Sequence, residues 1–377
     1  MTDRRGFGLY VHWPFCQAKC PYCDFNSHVA NMVDQDRWRG ALQSEIRRMA
    51  RETEGRVLDT IFFGGGTPSL MEPETVASVI DAARSAWPSA NNVEITLEAN
   101  PTSVEAARFR RYSEAGVNRV SIGVQSLRDH DLKALGRLHS ASEAREALTI
   151  ARETFSRVSF DLIYARQHQS PQDWQAELGE ALLMRPNHLS LYQLTIESGT
   201  AFGDRQNRGK LGGLPDEETA AEMYELTQEM TEAAGLPAYE ISNHAVPGQE
   251  SRHNLIYWRA GDWVGVGPGA HGRLSNSGRR ISTEALAAPD TWLEAVEAGR
   301  SGEIRREALS PTDAREEAIM MGLRLSEGVE MSALEYIKSN KLNMLAGIGL
   351  IETHSGRLRA TRKGRPVLNY ILRELLT

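Results

Sequence analysis

The sequence is poor in cysteine, with three in 377 residues. A disulfide framework uses an even number of cysteines spread along the chain, so none is expected. Long apolar runs are also missing, and no stretch approaches the roughly 20 residues a membrane-spanning helix needs. The start, residues 1–7, is polar and runs directly into a strand-like segment. No signal peptide is therefore expected, and the default location is the cytoplasm, with contact to a membrane face left open. Basic excess is absent as well: the formal net charge is −7 at pH 7. General nucleic-acid binders carry a basic footprint. The local basic stretch Arg357, Arg359, Arg362, Lys363 and Arg365 accordingly reads as a solvated or partner-facing surface. What remains, 41% hydrophobic and 25% charged, is ordinary for a globular chain long enough for one large domain and a smaller one.

The first two-thirds alternates between two patterns. Strand-like apolar runs fall at 8–15, 58–63, 93–98, 117–124, 158–164 and 188–196, and helix-like segments at 34–51, 72–86, 104–114, 142–153 and 171–184. Asp34 suits an N-cap, as does Ser103, although Ala106 three residues on leaves half a capping box there. Alternation at this spacing implies βαβ units and a parallel sheet. Six units predict a partial (β/α)6 barrel over residues 1–236, whose last helix, 216–235, is stopped by Gly235 and Pro237. Residues 237–307 are expected to link and extend the barrel. The part from 237 to 285, rich in Gly, Asn, His and aromatics, reads as functional surface more than as a packed element. Residues 308–377 are expected to form a small winged-helix-like α+β domain. It would hold helices at 314–325 and 331–338, a strand pair at 350–353 and 357–360 around the turn His354-Ser355-Gly356, and a closing helix at 364–375.

All three cysteines lie in Cys16-Gln17-Ala18-Lys19-Cys20-Pro21-Tyr22-Cys23. Three thiolates at this C-x3-C-x2-C spacing can hold three irons of a 4Fe-4S cluster and leave the fourth iron open. S-adenosylmethionine (SAM) can chelate an open iron through its amino and carboxylate groups. An electron from the cluster then cleaves a carbon–sulfur bond and releases a deoxyadenosyl radical. A cluster built only for electron transfer would normally be closed by a fourth cysteine, and the chain has none. Zinc is the alternative, with His12 or His28 as fourth ligand. Incidental thiols are the other.

With its flanks, Tyr10-Val11-His12-Trp13-Pro14-Phe15 before and Asp24-Phe25 after, this motif resembles that of radical SAM enzymes. It is most similar to the branch containing oxygen-independent coproporphyrinogen III dehydrogenase and the HemW haem chaperones, and the resemblance covers nearly the whole chain. It implies a cluster on Cys16, Cys20 and Cys23. It implies SAM contacts from Tyr10 and Tyr22, from Gly65, Gly66 and Thr67 in Gly64-Gly65-Gly66-Thr67-Pro68, from Glu98 to the ribose hydroxyls, and from Gln125, Arg137 and Asp161. Taken singly, each polar residue reads as a cap, a surface charge or a buried hydrogen-bond partner. Together, at strand ends on one barrel face, they form one site. One departure is visible: after Asp161-Leu162-Ile163-Tyr164 the family continues Gly-Leu-Pro, and here Ala165-Arg166-Gln167 stands. A reshaped loop is expected there.

The resemblance also separates two functions. The dehydrogenase carries a further cysteine where Phe25 stands and an extension ahead of its motif, for which a first strand near residue 8 leaves no room. The string His253-Asn254-Leu255-Ile256-Tyr257-Trp258 is characteristic of HemW. It implies His253 as an axial haem ligand, Tyr257 and Trp258 as flat faces for a porphyrin, and Asn254 as an orienting group. On the residues alone, a histidine beside two aromatics reads more often as structural. His271, in Gly265-Val266-Gly267-Pro268-Gly269-Ala270-His271-Gly272, reads either as facing the SAM pocket or as a second haem ligand. The expected function is a haem carrier for haem-requiring proteins such as respiratory enzymes, with cluster-dependent dimerisation. The alternatives are oxidative decarboxylation of coproporphyrinogen III and radical chemistry on another substrate.

Overall fold

The computed structural model describes residues 5–30, 32–276 and 278–376, so residues 1–4 of the polar start lie outside the described residues. Six strands, β1 (Phe7–Trp13), β2 (Leu58–Gly65), β3 (Ser89–Ala99), β4 (Arg119–Gln125), β5 (Arg157–Tyr164) and β6 (His188–Gln193), pair in that order and all in parallel. Helices cover the outside and polar side chains line the inside, so along each strand the apolar residues that meet the helices alternate with the residues that face the interior. In β1, for example, Leu9, Val11 and Trp13 are fully buried.

Between the strands lie α1 (Gln35–Glu52), α2 (Pro73–Ala86), α3 (Ser103–Ala106), α4 (Phe109–Glu114), α5 (Asp129–Ala134), α6 (Ala141–Thr154) and α7 (Pro171–Leu183). After β6 come α8 (Ala201–Asn207) and α9 (Glu217–Ala233). The Asp34 carboxylate caps α1 by accepting from Arg37 N–H. The buried face of α1, Trp38, Ala41, Leu42, Ile46 and Met49, recurs every three or four residues, as a helix on a sheet requires. The single helix expected at 104–114 is two, and its cap is Thr102 rather than Ser103. One residue earlier, the capping hydroxyl stands three before Glu105, whose backbone N–H it accepts from. The buried Glu105 carboxylate in turn accepts from Ser69 and from Asn100 N–H.

Residues 237–285 are packed structure, contrary to the sequence reading. β7 (Asn243–Ala245) runs antiparallel to β6, and the short helix α10 (Arg252–Trp258) follows. Then β8 (Asp262–Val266) lies parallel to β1 inside the sheet. β9 (His271–Asn276), β10 (Arg279–Ala285) and, after α11 (Pro289–Glu297), β11 (Glu303–Ala308) extend that edge antiparallel. Among the described residues the sheet has eleven strands, ordered β11-β10-β9-β8-β1-β2-β3-β4-β5-β6-β7. The glycines of 265–272 serve close packing: a Cβ on Gly265 would stand 2.2 Å from His271 O, and one on Gly267 2.2 Å from His12 O.

A second core, built from residues such as Ile319, Leu323, Leu345, Ile351, Leu358 and Ile371, gathers the C-terminal elements. These are α12 (Pro311–Gly322), β12 (Val329–Glu330), α13 (Ser339–Gly347), β13 (Ile351–His354), β14 (Arg357–Ala360) and α14 (Leu368–Leu376), with sheet order β12-β14-β13. The helix expected at 331–338 is one turn, Met331–Leu334, and α13 forms instead. The basic stretch is largely neutralised within the chain: Arg357 pairs with Glu330, Arg359 with Glu352, and Arg362 with Glu225 and Glu229 of α9. Among the described residues no helix is long and apolar enough to cross a membrane.

The departure at Ala165-Arg166-Gln167 has a physical account. Arg166 is buried and ties α5 to α7, donating to Asp131 at 2.6 Å and to Glu177 at 2.5 Å. Glu177 also accepts from Ser126 Oγ and Leu127 N–H. Ala165, however, sits at φ +56°, a conformation that suits glycine. Ala165→Gly is expected to raise stability by about 0.5–1 kcal/mol and Ala165→Val to lower it by more. Urea midpoints of the two variants check this; a less stable glycine variant would show that local packing outweighs backbone strain.

Candidate functional site

The cysteine loop leaves β1 and is closed by a short parallel pairing of Phe15–Cys16 with His28–Val29. Within it Cys23 N–H donates to Cys20 O at 3.1 Å. Each thiol has a polar neighbour. Thr67 Oγ1 donates to Cys16 Sγ at 3.3 Å, Arg137 Nη1 donates to Cys20 Sγ at 3.4 Å, and Ser27 Oγ lies 4.0 Å from Cys23 Sγ. Burial pushes the Cys16 and Cys23 thiols up, and hydrogen bonds from Thr67 and Ser27 pull the other way. The loop lies directly on the glycine run. Gly66 N–H donates to Trp13 O and Thr67 N–H to Phe15 O, and a Cβ on Gly66 would stand 2.7 Å from Phe15 O. Gly65 has φ +111° and faces the His12 ring. The glycines thus seat the cysteine loop, a role of fold that precedes any contact with a ligand.

Of the two histidines weighed as a fourth zinc ligand, His28 is exposed with its Nε2 3.1 Å from Asn26 Oδ1. Both His12 ring nitrogens are engaged, Nδ1 with Tyr10 OH at 3.0 Å and Nε2 with Asn26 O at 2.9 Å. Among the described residues no three His, Cys, Asp or Glu side chains converge on a single ion. His271 is exposed, opens β9 opposite Glu284 of β10, and its backbone lies against Gly265.

The barrel interior is hollow and polar. Tyr10, Glu98, Asp161 and Tyr257 line it and keep accessible surface there, and Tyr192 is 42% exposed. Desolvation drives the Glu98 carboxyl up to about 8, with the Asp161 charge adding to it, and raises Asp161 to about 6. Gln125 ends β4 at φ +68°, and a Cβ on Gly123 would stand 2.9 Å from Gln125 Nε2 and 3.4 Å from Arg137 Nη2. Those two donors therefore meet at Gly123. Arg137 spans the rim, donating to Asn100 Oδ1 at 2.5 Å and to Gly123 O at 2.9 Å, while its buried Nε has no partner. Tyr22 packs nearby on Phe202, and burial raises its hydroxyl. The unpartnered guanidinium nitrogen near Cys20 and the carboxylates deeper in the lumen are the polar groups left for a ligand here.

The expected haem residues are divided by the helix that carries them. Ser251 caps α10, and His253 N–H donates to the buried Glu94, which Arg157 also binds. His253 is 0% exposed. Its Nδ1 meets Thr60 Oγ1 at 2.6 Å and its Nε2 meets Tyr257 OH at 2.7 Å. Its ring stacks on Phe62 at 5.0 Å and Tyr10 at 6.4 Å, and burial lowers its pKa to about 3. His253 and Tyr257, four residues apart, thus share the face toward the barrel. Trp258 lies on another face, lining a crevice against the C-terminal domain. Asn254 is half-buried, and its backbone N–H closes the Ser251 cap. Sequence pattern had no means of showing that the string serves two surfaces. Phe25, where the dehydrogenase has a cysteine, is 59% exposed.

The Radical SAM superfamily model matches residues 10–179 and the HemN C-terminal domain model matches residues 309–367. The chain is 39% identical to radical S-adenosyl methionine domain-containing protein 1, mitochondrial, of Bos taurus, over 98% of this chain and 87% of that one. It is 41% identical to heme chaperone HemW of Escherichia coli strain K12, over 85% of this chain and 82% of that one. The solved coproporphyrinogen III oxidase HemN from Escherichia coli aligns with a TM-score of 0.83 at 22% identity, over 99% of this chain and 91% of that one. At that identity the likeness is one of fold.

Proposed function

We propose, for a chain that belongs to the HemW family of radical SAM proteins, that it binds a 4Fe-4S cluster, SAM and haem and passes haem to haem-requiring proteins, respiratory enzymes among them. Cys16, Cys20 and Cys23 would hold the cluster. Tyr10, Tyr22, Gly65, Gly66, Thr67, Glu98, Gln125, Arg137 and Asp161 would surround SAM. Helix α10, which carries His253, Asn254, Tyr257 and Trp258, would recognise haem. When bound, cluster and SAM supply an electron and a cleavable carbon–sulfur bond. The chain's own part is to orient the ligand with Arg137 and to hold a proton on Glu98 until the ligand arrives.

One observation carries the reading. The His253 ring packs on Tyr10, so the haem-recognition helix is also the wall of the proposed SAM pocket. A change on one side of α10 has a direct mechanical route to the other. Cluster-dependent dimerisation belongs to the same proposal, through the cysteine loop at the barrel mouth. The test is transfer. Reconstituted protein is loaded with haem, freed of excess and mixed with a haem-free respiratory enzyme. Recovery of enzyme activity faster than spontaneous haem release supports the reading. Failure to retain haem, together with release of carbon dioxide from coproporphyrinogen III, would replace it with the decarboxylase.

SAM affinity carries a pH signature. The bound ribose hydroxyls would donate to an ionised Glu98, whereas the empty site holds Glu98 protonated up to about pH 8. Each unit below that is expected to weaken SAM by up to about tenfold, because a proton must leave on binding. Affinity should therefore rise from pH 6 to 8, and Glu98→Gln should flatten the profile. A flat wild-type profile in equilibrium dialysis would remove Glu98 from the SAM site.

A further inference from the structure

Outside the barrel, a crevice of about 1080 Å³ opens between the end of α10, the β9–β10 hairpin and the C-terminal domain. That is at the top of the range of roughly 300–1,000 Å³ that ligands of cofactor size occupy. Six arginines line it, Arg5, Arg259, Arg279, Arg280, Arg315 and Arg357, against two carboxylates, Glu327 and Glu330. Both carboxylates are already used. Glu327 is held by Arg259 at 2.9 Å, and Glu330 by Arg357 at 3.3 Å. Arg280 is anchored on Asp262. Arg279, from the hairpin, and Arg315, from α12, have no carboxylate partner among the described residues; Arg315 only donates to Pro311 O and lies over Tyr336. The crevice thus carries one uncommitted guanidinium on each wall.

Apart from Ser275 and Ser332, the rest of the lining is small or apolar. Leu309, Leu325 and Val329 contribute, and Trp258 offers a ring whose other contact is the Arg324 guanidinium at 5.7 Å. The Trp258 Nε1 donor is buried without an acceptor. Among the described lining residues there is no His, Cys, Met or Tyr, so nothing in the crevice ligates haem iron well.

We infer that this crevice, on the outer face of α10, is where the porphyrin cargo docks: Arg279 and Arg315 take the two propionates, Trp258 takes the macrocycle, and the iron receives no protein ligand. The inference rests on the haem-carrier reading and places the haem for it. Guanidinium–carboxylate pairs supply the specificity. A cargo held by its edge and face keeps its iron free for the recipient. The barrel side is less suited, because His253 has both nitrogens engaged and no exposed surface.

The experiment compares haem with metal-free protoporphyrin IX, titrated into the reconstituted full chain as wild type, Arg279→Glu/Arg315→Glu and His253→Gln. Both arginines are exposed, so the double variant is expected to fold normally, and a denaturation midpoint checks it. The inference predicts one site, similar affinity for the two porphyrins, and at least about tenfold weakening of both by charge reversal. It is overturned, with the carrier reading intact, if haem binds at least about tenfold tighter than protoporphyrin IX, is lost in His253→Gln, and is unaffected by charge reversal. If wild type retains neither porphyrin, or binds several without saturation, both the inference and the carrier reading fall.

Discussion

Cys20→Ala is expected to abolish the iron–sulfur absorbance of the anaerobically reconstituted protein and to drop bound iron from about four per chain to near zero. The chain has no spare thiol: three cysteines are present, and a cubane with one open iron needs all three. Folding is not expected to suffer, because Cys20 is only half-buried and the Arg137 hydrogen bond to its thiol is long, at 3.4 Å. Arg137→Met separates the neighbouring role. It leaves the thiolates in place and removes the guanidinium whose buried Nε has no partner. That variant is expected to assemble a cluster and to lose SAM affinity by at least about tenfold, since a charge-assisted bond to a carboxylate is worth 1.5–3 kcal/mol. Its cluster should also reduce at a more negative potential, because a donor to a cluster sulfur stabilises the added electron. Full iron content in Cys20→Ala would overturn the ligand assignment, and unchanged SAM affinity in Arg137→Met would leave that guanidinium a purely structural role.

The barrel was readable because its signals are local. A strand covered by helices on one face is a short, largely apolar run between turn signals, and the six runs in the first two-thirds became the six parallel strands β1–β6. The hairpin turn at Ser355-Gly356 was equally plain, since both residues adopt positive φ and leave β14 at 357–360 as expected. Residues 237–285 failed for the opposite reason. Their glycines resemble loop composition, yet they permit the close approach of β8 to β9 and of the 267–268 turn to His12, which depends on neighbours distant in sequence. The cysteine spacing, the glycine run and the acids at strand ends pointed to one site. The division of α10 did not show, because seven residues of helix present His253 and Trp258 to different partners, and only the folded chain says which partners those are.

His253→Ala is expected to lower the unfolding free energy of the cluster-free protein by about 3–5 kcal/mol at pH 7. The ring has no exposed surface and packs between Phe62 and Tyr257. Removing it opens a cavity and leaves Thr60 Oγ1 and Tyr257 OH without their partner at 2.6 and 2.7 Å. The same burial lowers the His253 pKa from 6.5 to about 3. Between those values the unfolded chain takes up a proton that the folded chain refuses, so wild type loses stability as pH falls through that window, by about 1.4 kcal/mol per unit. The alanine variant has no such group. The gap between the two should therefore shrink by about 2 kcal/mol from pH 7 to pH 5. Urea unfolding at both pH values checks this, and a gap that widens on acidification would mean the imidazole is charged in the fold. The sign also governs how haem experiments are read. A folded histidine this firmly neutral is chemically suited to bind iron, but its lone pair is committed to Tyr257 or Thr60, and ligation must break that bond first. Loss of haem binding in His253→Ala alone does not distinguish a missing ligand from a loosened α10. His253→Gln, which can keep one of the two hydrogen bonds, together with the porphyrin that lacks iron, does distinguish them.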